Sequence, residues 1–426
     1  MAVAEEIETP LPSSSGRIAR LRERLSLLGL FGVLAAFTLS TLDDAAFGAG
    51  AAPRIVSVVF LLLAAIYLSV PFTQRFSLSL PVVCLLLMTL WGVAQTLFSP
   101  QKIFARGWSG VLFWFTAAII AVVATQLFQS PRAAAQFRHW FMLLASAVCL
   151  LDLLEQASRT SLYYWVIQSK YHAVFGPFAY WNNFAQFVEL ALPITLWTGL
   201  SKRRSSPAPY LALAAIQIGA VVASGSRAGA VLVVAELLAV IFLAYARRRD
   251  RRLLLGAALA CGLSSVFVYA AGFDVLIKKL QQNDQLAVRR SINQSSIEMI
   301  RERPLLGWGL ETYVPVYRMF AHYDDGTYVN RAHNDWLQWA AEGGIPFAVF
   351  MLVLFGWSLR PAVTSIWGVG LIAVCLHAAV DYPFARLGVC GWYFALTPML
   401  AGEIAERRRI AATEAAPKTP PREAVA

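Results

Sequence analysis

The sequence contains few charged residues for its length. Asp, Glu, Lys and Arg together make up 14% of the 426 residues, whereas a soluble domain has about 25%. Hydrophobic residues account for 58%, and apolar runs long enough to cross a bilayer recur along the whole chain. The composition therefore argues against a soluble protein and predicts an all-α polytopic integral membrane protein.

Several signatures of cofactor-dependent and metal-dependent enzymes are missing. The chain has no H-E-x-x-H, no G-x-S-x-G, no P-loop and no dinucleotide-binding fingerprint. Its five cysteines all fall inside apolar runs and none forms a C-x-x-C pair, so they are interpreted as packing residues. We therefore expect no cofactor and no metal site.

The excess of positive charge is distributed in short clusters between the apolar runs. The formal net charge is +11, but no nucleic-acid-binding motif accompanies it. Lys and Arg placed in this way orient transmembrane spans, because they are retained on the cytoplasmic side. The charge therefore predicts a lipid bilayer as partner and no nucleic acid.

The apolar runs predict about twelve transmembrane helices. With both termini in the cytoplasm, 21 of the 36 Lys and Arg residues fall in inside segments, as the positive-inside rule requires. The predicted spans are residues 25–42, 55–72, 78–98, 108–128, 139–155, 184–200, 209–224, 228–246, 253–273, 344–360, 362–381 and 387–402. This order gives a cytoplasmic tail 1–24, nine spans within 25–273, a long outer loop 274–343, three spans within 344–402 and a cytoplasmic tail 403–426.

The long outer loop is basic, although topology does not require positive charge on that side. Its eight basic residues are Lys278, Lys279, Arg289, Arg290, Arg301, Arg303, Arg318 and Arg331. Within it, "RRSINQSSIEMIRERP" carries Ile292, Met299 and Ile300 at helical spacing and ends at Pro304. This pattern predicts an amphipathic helix near the membrane surface.

A polar segment, "RAHNDWLQWAAEGGIP" at residues 331–346, ends this loop. If residues 332–342 are helical, Leu337 and Ala340 share a face with His333. His333 is then either a solvated side chain at the membrane interface or a general base. Imidazole suits the second role because it titrates near neutral pH and can accept a hydroxyl proton.

Three arginines on the outer side are candidate anion ligands. Arg227 lies in "ASGSRAGAV", a tight turn between two predicted spans, and Arg289 and Arg290 lie near the start of the amphipathic helix. A guanidinium group can bind two phosphate oxygens at once. Each arginine could instead anchor its segment at the membrane interface.

Carboxylates within or beside the predicted spans are also candidate functional residues, because an ionisable side chain in the bilayer costs free energy and is usually paired or functional. Glu189 and Asp381 lie near the outer ends of their spans, and Glu236 lies inside one. Either Glu189 or Asp381 could pair with an outer arginine. Such an ion pair could belong to the functional site or could only stabilise the helix packing.

Four segments together resemble the O-antigen ligase/polymerase family. "RAHNDWLQWAAEGGIP" resembles its H-N-x-x-L-Q-x-x-x-E-x-G motif, and "GSRAG" resembles its turn with arginine. "RRSINQSSIEMIRERPLLGWGLETY" resembles its arginine-led helix followed by P-L-L-G-x-G, and "FAYWNNFAQFVELALPI" resembles its N-x-F-A segment. The four occur in family order across about residues 175–385.

The resemblance implies inverting, metal-independent glycosyl transfer on a GT-C-like membrane fold. The donor would be an undecaprenyl-diphosphate-linked glycan, with His333 as base. The diphosphate ligands would be Arg227 and one of Arg289 and Arg290, of which the spacing to Pro304 favours Arg289. The supporting residues would be Asn183, Glu189, Asn334, Gln338, Glu342 and Asp381.

Three activities remain open at this point. A ligase would join a finished O-polysaccharide to lipid A–core, whereas a polymerase would join repeat units into a growing polysaccharide. A flippase or transporter of lipid-linked glycans is the alternative from another class, but it should concentrate polar groups at mid-membrane. For the enzyme we expect the bacterial inner membrane, with the active site on the periplasmic face.

Overall fold

The computed structural model describes residues 14–46, 51–69, 76–98, 104–158, 162–166, 175–178, 180–201, 206–249, 258–259, 261–266, 284–322 and 329–415. Within these ranges the chain is almost entirely helical. The named helices are α1 Ser14–Ala46, α2 Ala51–Ser69, α3 Leu80–Phe98, α4 Phe104–Leu127, α5 Pro131–Ser158, α6 Trp181–Ser201, α7 Ala208–Ser224, α8 Arg227–Arg248, α9 Asp284–Glu302, α10 Tyr313–Phe320, α11 Asp335–Ser365, α12 Val369–His377 and α13 Leu387–Ala415. A 3₁₀ turn, Pro383–Ala385, precedes α13.

Eight of the described helices are long and apolar enough to cross a membrane, and they confirm a polytopic membrane protein. The helices α6 and α7 are not among the eight. Helix α6 carries buried polar residues, among them Asn182, Gln186 and Glu189, which lower its hydropathy, and α7 has only 17 residues. Most of the predicted span 253–273 lies outside the described residues, so the total of twelve stays a prediction.

The last three predicted spans differ in their boundaries from the helices. Helix α11 begins at Asp335 and continues to Ser365, so it includes residues 335–346 of the polar motif and the whole predicted span 344–360. The chain then turns at Ile366, whose φ is +61°, and α12 has only 9 residues. The segment that follows, which contains Asp381, is therefore a turn and not the end of a long helix.

Close contact between helices depends on small residues. A Cβ on Gly370 of α12 would lie 2.3 Å from the Glu189 carbonyl oxygen of α6, and one on Gly229 of α8 would lie 2.5 Å from the Ala185 Cβ. Packing of this kind holds helices together in lipid, where apolar burial alone gives little preference for protein contact. These contacts fix α8 and α12 against α6, which is buried along most of its length.

The described part of the long loop packs on the start of α11. The predicted amphipathic helix is present as α9, and it buries Ile292 and Met299 against a small cluster that includes Trp308 and Tyr313. Trp308 also donates its indole N–H to the Met299 carbonyl at 2.9 Å. The described segments of the loop thus form a packed layer over the bundle.

A glycine kink joins this layer to α11. Gly344 has φ +74° inside α11, and a Cβ there would lie 2.1 Å from the Leu305 carbonyl oxygen. The backbone N–H of Gly309 donates to the Glu342 carbonyl at 2.8 Å, and that of Ile345 donates to the Pro304 carbonyl at 2.8 Å. The P-L-L-G-x-G and E-x-G motifs therefore fit each other backbone to backbone.

Gly344→Ala should consequently destabilise the loop layer. The added methyl group meets a backbone oxygen that cannot rotate away, and an alanine at positive φ is strained. We expect a loss of about 2–4 kcal/mol, seen as a lower thermal midpoint in detergent and faster proteolysis of the loop. Gly356→Ala is the matched control, because a Cβ at this position of the same helix meets nothing within 4 Å. Equal midpoints for the two variants would contradict this packing.

Candidate active site

His333 lies in a short extended segment immediately before α11. The prediction that residues 332–342 form one helix is wrong at its start, since the helix begins at Asp335. Asn334 is the N-cap, and its side-chain oxygen accepts a hydrogen bond from the Leu337 N–H at 3.2 Å. His333 itself has φ +50°, a left-handed conformation that costs energy for a residue with a Cβ. The cap and this turn direct the imidazole away from the helix face.

The turn around Asp381 is fastened to the same helix start. The backbone N–H of Asp335 donates to the Ala378 carbonyl at 2.8 Å and to the Asp381 carbonyl at 3.1 Å. The Asp335 carboxylate accepts a hydrogen bond from the Phe384 N–H at 2.9 Å. These bonds bring two segments that are distant in sequence together, with His333 on one and Asp381 on the other.

The Asp381 carboxylate is the centre of the polar cluster, and its side chain is 0% exposed. His333 Nδ1 lies 3.6 Å from Oδ1, which is an ion-pair distance longer than a hydrogen bond. Arg289 Nη2 lies 3.4 Å from Oδ2, and the Asn182 amide also donates to Oδ2. The Tyr180 hydroxyl donates to the same oxygen at 3.3 Å.

These partners keep the Asp381 carboxylate ionised. Burial raises the pKa of a carboxyl group, but the imidazole of His333 and the guanidinium of Arg289 outweigh burial here, so the pKa of Asp381 lies below its usual value. An ionised carboxylate can therefore face the imidazole at neutral pH.

Two tyrosines form one wall around the imidazole. The rings of Tyr180 and Tyr382 stack with centroids 5.3 Å apart, and the His333 ring meets the edge or face of each, at 6.2 Å and 5.0 Å. Burial raises the pKa of both phenols, so they stay neutral. The His333 side chain keeps 23% exposure, which leaves part of the ring open to a substrate.

The structure separates the three predicted arginines. Arg289 reaches the cluster and also donates to the Val380 carbonyl at 2.7 Å, whereas Arg290 is exposed. Arg227 is the first residue of α8, whose N-cap Ser226 accepts a hydrogen bond from Gly229. Because Gly229 packs on Ala185, this helix start lies beside the start of α6, which supplies Asn182.

Three of the predicted supporting residues, Gln338, Glu342 and Asn183, form hydrogen bonds with backbone groups around the site. Gln338 accepts a hydrogen bond from the Ala332 N–H at 3.1 Å, which fixes the segment just before His333. Glu342 accepts one from the Tyr313 N–H at 2.9 Å, which ties α10 to α11. Asn183 donates to the Tyr382 carbonyl at 3.4 Å and so positions one wall of the site.

Glu189 does not pair with an outer arginine in the structure. Its side chain is 0% exposed, and its Oε1 lies 2.7 Å from His377 Nδ1, a hydrogen-bond distance. Glu236 is buried as well, and neither of its carboxylate oxygens has a hydrogen-bond partner among the described residues. Polar groups are thus present inside the bundle as well as at the end that carries His333.

Sequence reasoning missed three residues of the cluster, Tyr180, Asn182 and Tyr382. The motif segment "FAYWNNFAQF" contains the first two, but only Asn183 was selected from it. Asn182 is the residue that touches Asp381. Asn182 is the first residue of the N-x-F-A pattern, and Tyr382 directly follows Asp381 in the chain. These positions were the features of the sequence that could have identified the two residues.

Comparison with known proteins gives one family match. Residues 212–352 match a family model described as O-antigen ligase, and no curated protein matches the chain. The match includes Arg227, Arg289 and His333, while Asp381 and Asn182 lie outside it. Within the part of the chain that the structure describes, no group of three or more His, Cys, Asp or Glu residues could hold a metal ion.

Proposed function

Because residues 212–352 of this multi-pass membrane protein match the O-antigen ligase family model, we propose that it catalyses inverting glycosyl transfer at the periplasmic face of the bacterial inner membrane. The donor is an undecaprenyl-diphosphate-linked glycan, and the acceptor is a sugar hydroxyl. A GT-C-like arrangement of about twelve spans with both termini cytoplasmic belongs to the same proposal. The observation that carries it is the contact of His333 with an ionised, buried carboxylate beside Arg289.

His333 acts as the general base. Its Nδ1 faces Asp381, and a carboxylate at that nitrogen favours the tautomer with the proton on Nδ1. The lone pair on Nε2 is then available to take the proton of the acceptor hydroxyl. The acceptor oxygen attacks the anomeric carbon from the face opposite the diphosphate, so the configuration at that carbon inverts.

The leaving group is the diphosphate. As the bond between the anomeric carbon and the phosphate oxygen breaks, negative charge develops on that oxygen and departs with undecaprenyl diphosphate. Arg289, on the same cluster as His333, neutralises this charge, and Arg227 and Arg290 provide further positive charge around the lipid diphosphate. Fixed guanidinium groups stabilise a developing anion without reorganisation.

The ligase reaction, which joins O-polysaccharide to lipid A–core, is the favoured form of this activity. The polymerase reaction, which extends a polysaccharide by repeat units, is the alternative. Full-length protein in detergent, with a chelator present, is given the lipid-linked donor with lipid A–core or with no second lipid. Glycosylated lipid A–core indicates a ligase, and longer lipid-linked chains without lipid A–core indicate a polymerase. Transfer in neither assay would contradict the proposed function.

A lipid-linked glycan flippase is the second candidate, because Glu189, His377 and Glu236 form a buried polar group inside the helices. Residues of this kind often belong to transport pathways. Glu236→Gln separates the two activities, since it removes a buried titratable group remote from His333 in the chain. An enzyme should keep its transfer rate in detergent within about threefold, whereas a transporter should lose flipping in liposomes. If Glu236→Gln abolished glycosyl transfer in detergent, the expectation that catalysis does not depend on Glu236 would be wrong.

A further inference from the structure

A basic pocket lies next to the His333 site and has no role in the proposed reaction. It has a volume of about 200 Å³ and is lined by three arginines, Arg54, Arg331 and Arg386, against one carboxylate, Glu311. Hydroxyl groups, including that of Ser40, complete its lining. The pocket is formed where the starts of α2, α4 and α13 meet the end of α1.

The pocket shares its backbone with the active site. Arg331 precedes His333 by two residues, so their Cα atoms are within about 7 Å of each other. Arg386 follows Asp381 by five residues and directly precedes α13. One glycan bound at the end of the bundle can therefore contact both the pocket and the imidazole.

The charge of the pocket suits an anion. Arg331 forms a forked contact with Glu311, with Nη1 and Nη2 each 3.1 Å from Oε1, and Arg54 and Arg386 add two further positive charges. Burial lowers the pKa of Arg386 to about 10, so the guanidinium is still charged at neutral pH. Guanidinium groups bind phosphate through charge-assisted hydrogen bonds.

We propose that this pocket binds a phosphate group of the acceptor glycan, apart from the donor diphosphate. The inference rests on the proposed glycosyl transfer. The pocket is small beside the ~300–1,000 Å³ of sites for drug-sized ligands, so it fits one charged substituent and not a whole oligosaccharide. An anchor of this kind would select acidic acceptors and orient their hydroxyl toward His333.

The test compares two forms of one acceptor, lipid A–core before and after phosphatase treatment, with full-length protein in detergent free of phospholipid. Arg54 is exposed, so Arg54→Glu should fold. We expect it to raise both the Kd and the KM for the phosphorylated acceptor about tenfold, and to leave the donor KM unchanged. Arg54→Gln should give an intermediate effect, and the dephosphorylated acceptor should not distinguish the variants. Arg301→Glu, an exposed charge reversal at the end of α9, is the matched control.

The outcomes separate this inference from the proposed function. Wild-type protein that binds phosphorylated lipid A–core in preference to the dephosphorylated form, and loses that preference in Arg54→Glu, supports the pocket even if no glycan is transferred. Normal transfer with no such preference overturns the pocket alone. A higher donor KM in Arg54→Glu would assign the pocket to the donor and overturn the inference. A difference between the variants that appears only after anionic phospholipid is added would assign the pocket to a lipid headgroup, and it would overturn the inference as well.

Discussion

His333→Ala should lower kcat for glycosyl transfer by about 10²–10⁴-fold, the usual contribution of a general base. The KM for the lipid-linked donor should change little, since the diphosphate is bound by arginines and not by the imidazole. Single-turnover transfer at varied donor concentration, compared with that of the wild-type enzyme, checks both expectations.

His322→Ala is the matched control for this experiment. His322 is also a histidine of the described loop layer, and its Nε2 lies 2.7 Å from a carboxylate, that of Glu298. It resembles His333 in being paired with an acid but takes no part in the polar cluster. It should therefore keep wild-type kcat, and a similar loss in both variants would point to a general effect on folding.

Asp381→Asn should lower kcat almost as much as His333→Ala does, by about 10²-fold or more. An amide at this position no longer favours the proton on Nδ1 of His333, so less of the imidazole has its free lone pair toward the substrate. The buried site also loses the charge that Arg289 faces. The donor KM should rise as well, because the position of the Arg289 guanidinium depends on this carboxylate. Glu298→Gln, which removes an outer carboxylate from the control pair, should change neither constant.

The same substitution should alter the dependence of stability on pH. The pKa of Asp381 is lowered in the folded protein, so its ionisation stabilises the fold above the unfolded value of about 4. That stabilisation is lost as pH falls through the lowered pKa. Asp381→Asn should cost about 2–4 kcal/mol at neutral pH and lose less stability than wild type between about pH 5 and pH 2. Parallel thermal midpoints of the two proteins across that range would contradict the role of Asp381.

The helices follow from local sequence, but the conformation of His333 does not. Runs of apolar residues predicted the long helices well, because length and hydropathy are properties of one segment. The helix start at Asp335 depends on the Asn334 cap and on backbone bonds to the turn at Asp381. Those bonds join positions more than forty residues apart, so helical periodicity alone could not exclude a helix through His333.

The same reason limits prediction of the partners. Asp381 was a candidate because it is a carboxylate at the end of an apolar run, and the choice of Arg289 as its partner needed the packing of α9 on α11. Glu189 carried the same sequence signal but lies against His377, 0% exposed. Residue type and depth identified both carboxylates, and only the folded bundle decided which one faces the site.

Chemical rescue tests the central claim most directly, namely that His333 removes the acceptor proton. Full-length His333→Gly protein in detergent is given lipid-linked donor and acceptor, with and without free imidazole. The account predicts almost no transfer alone and partial recovery that increases with the concentration of neutral imidazole, while the same treatment of Asp381→Asn gives little recovery. Transfer by His333→Gly at the wild-type rate without imidazole would contradict it.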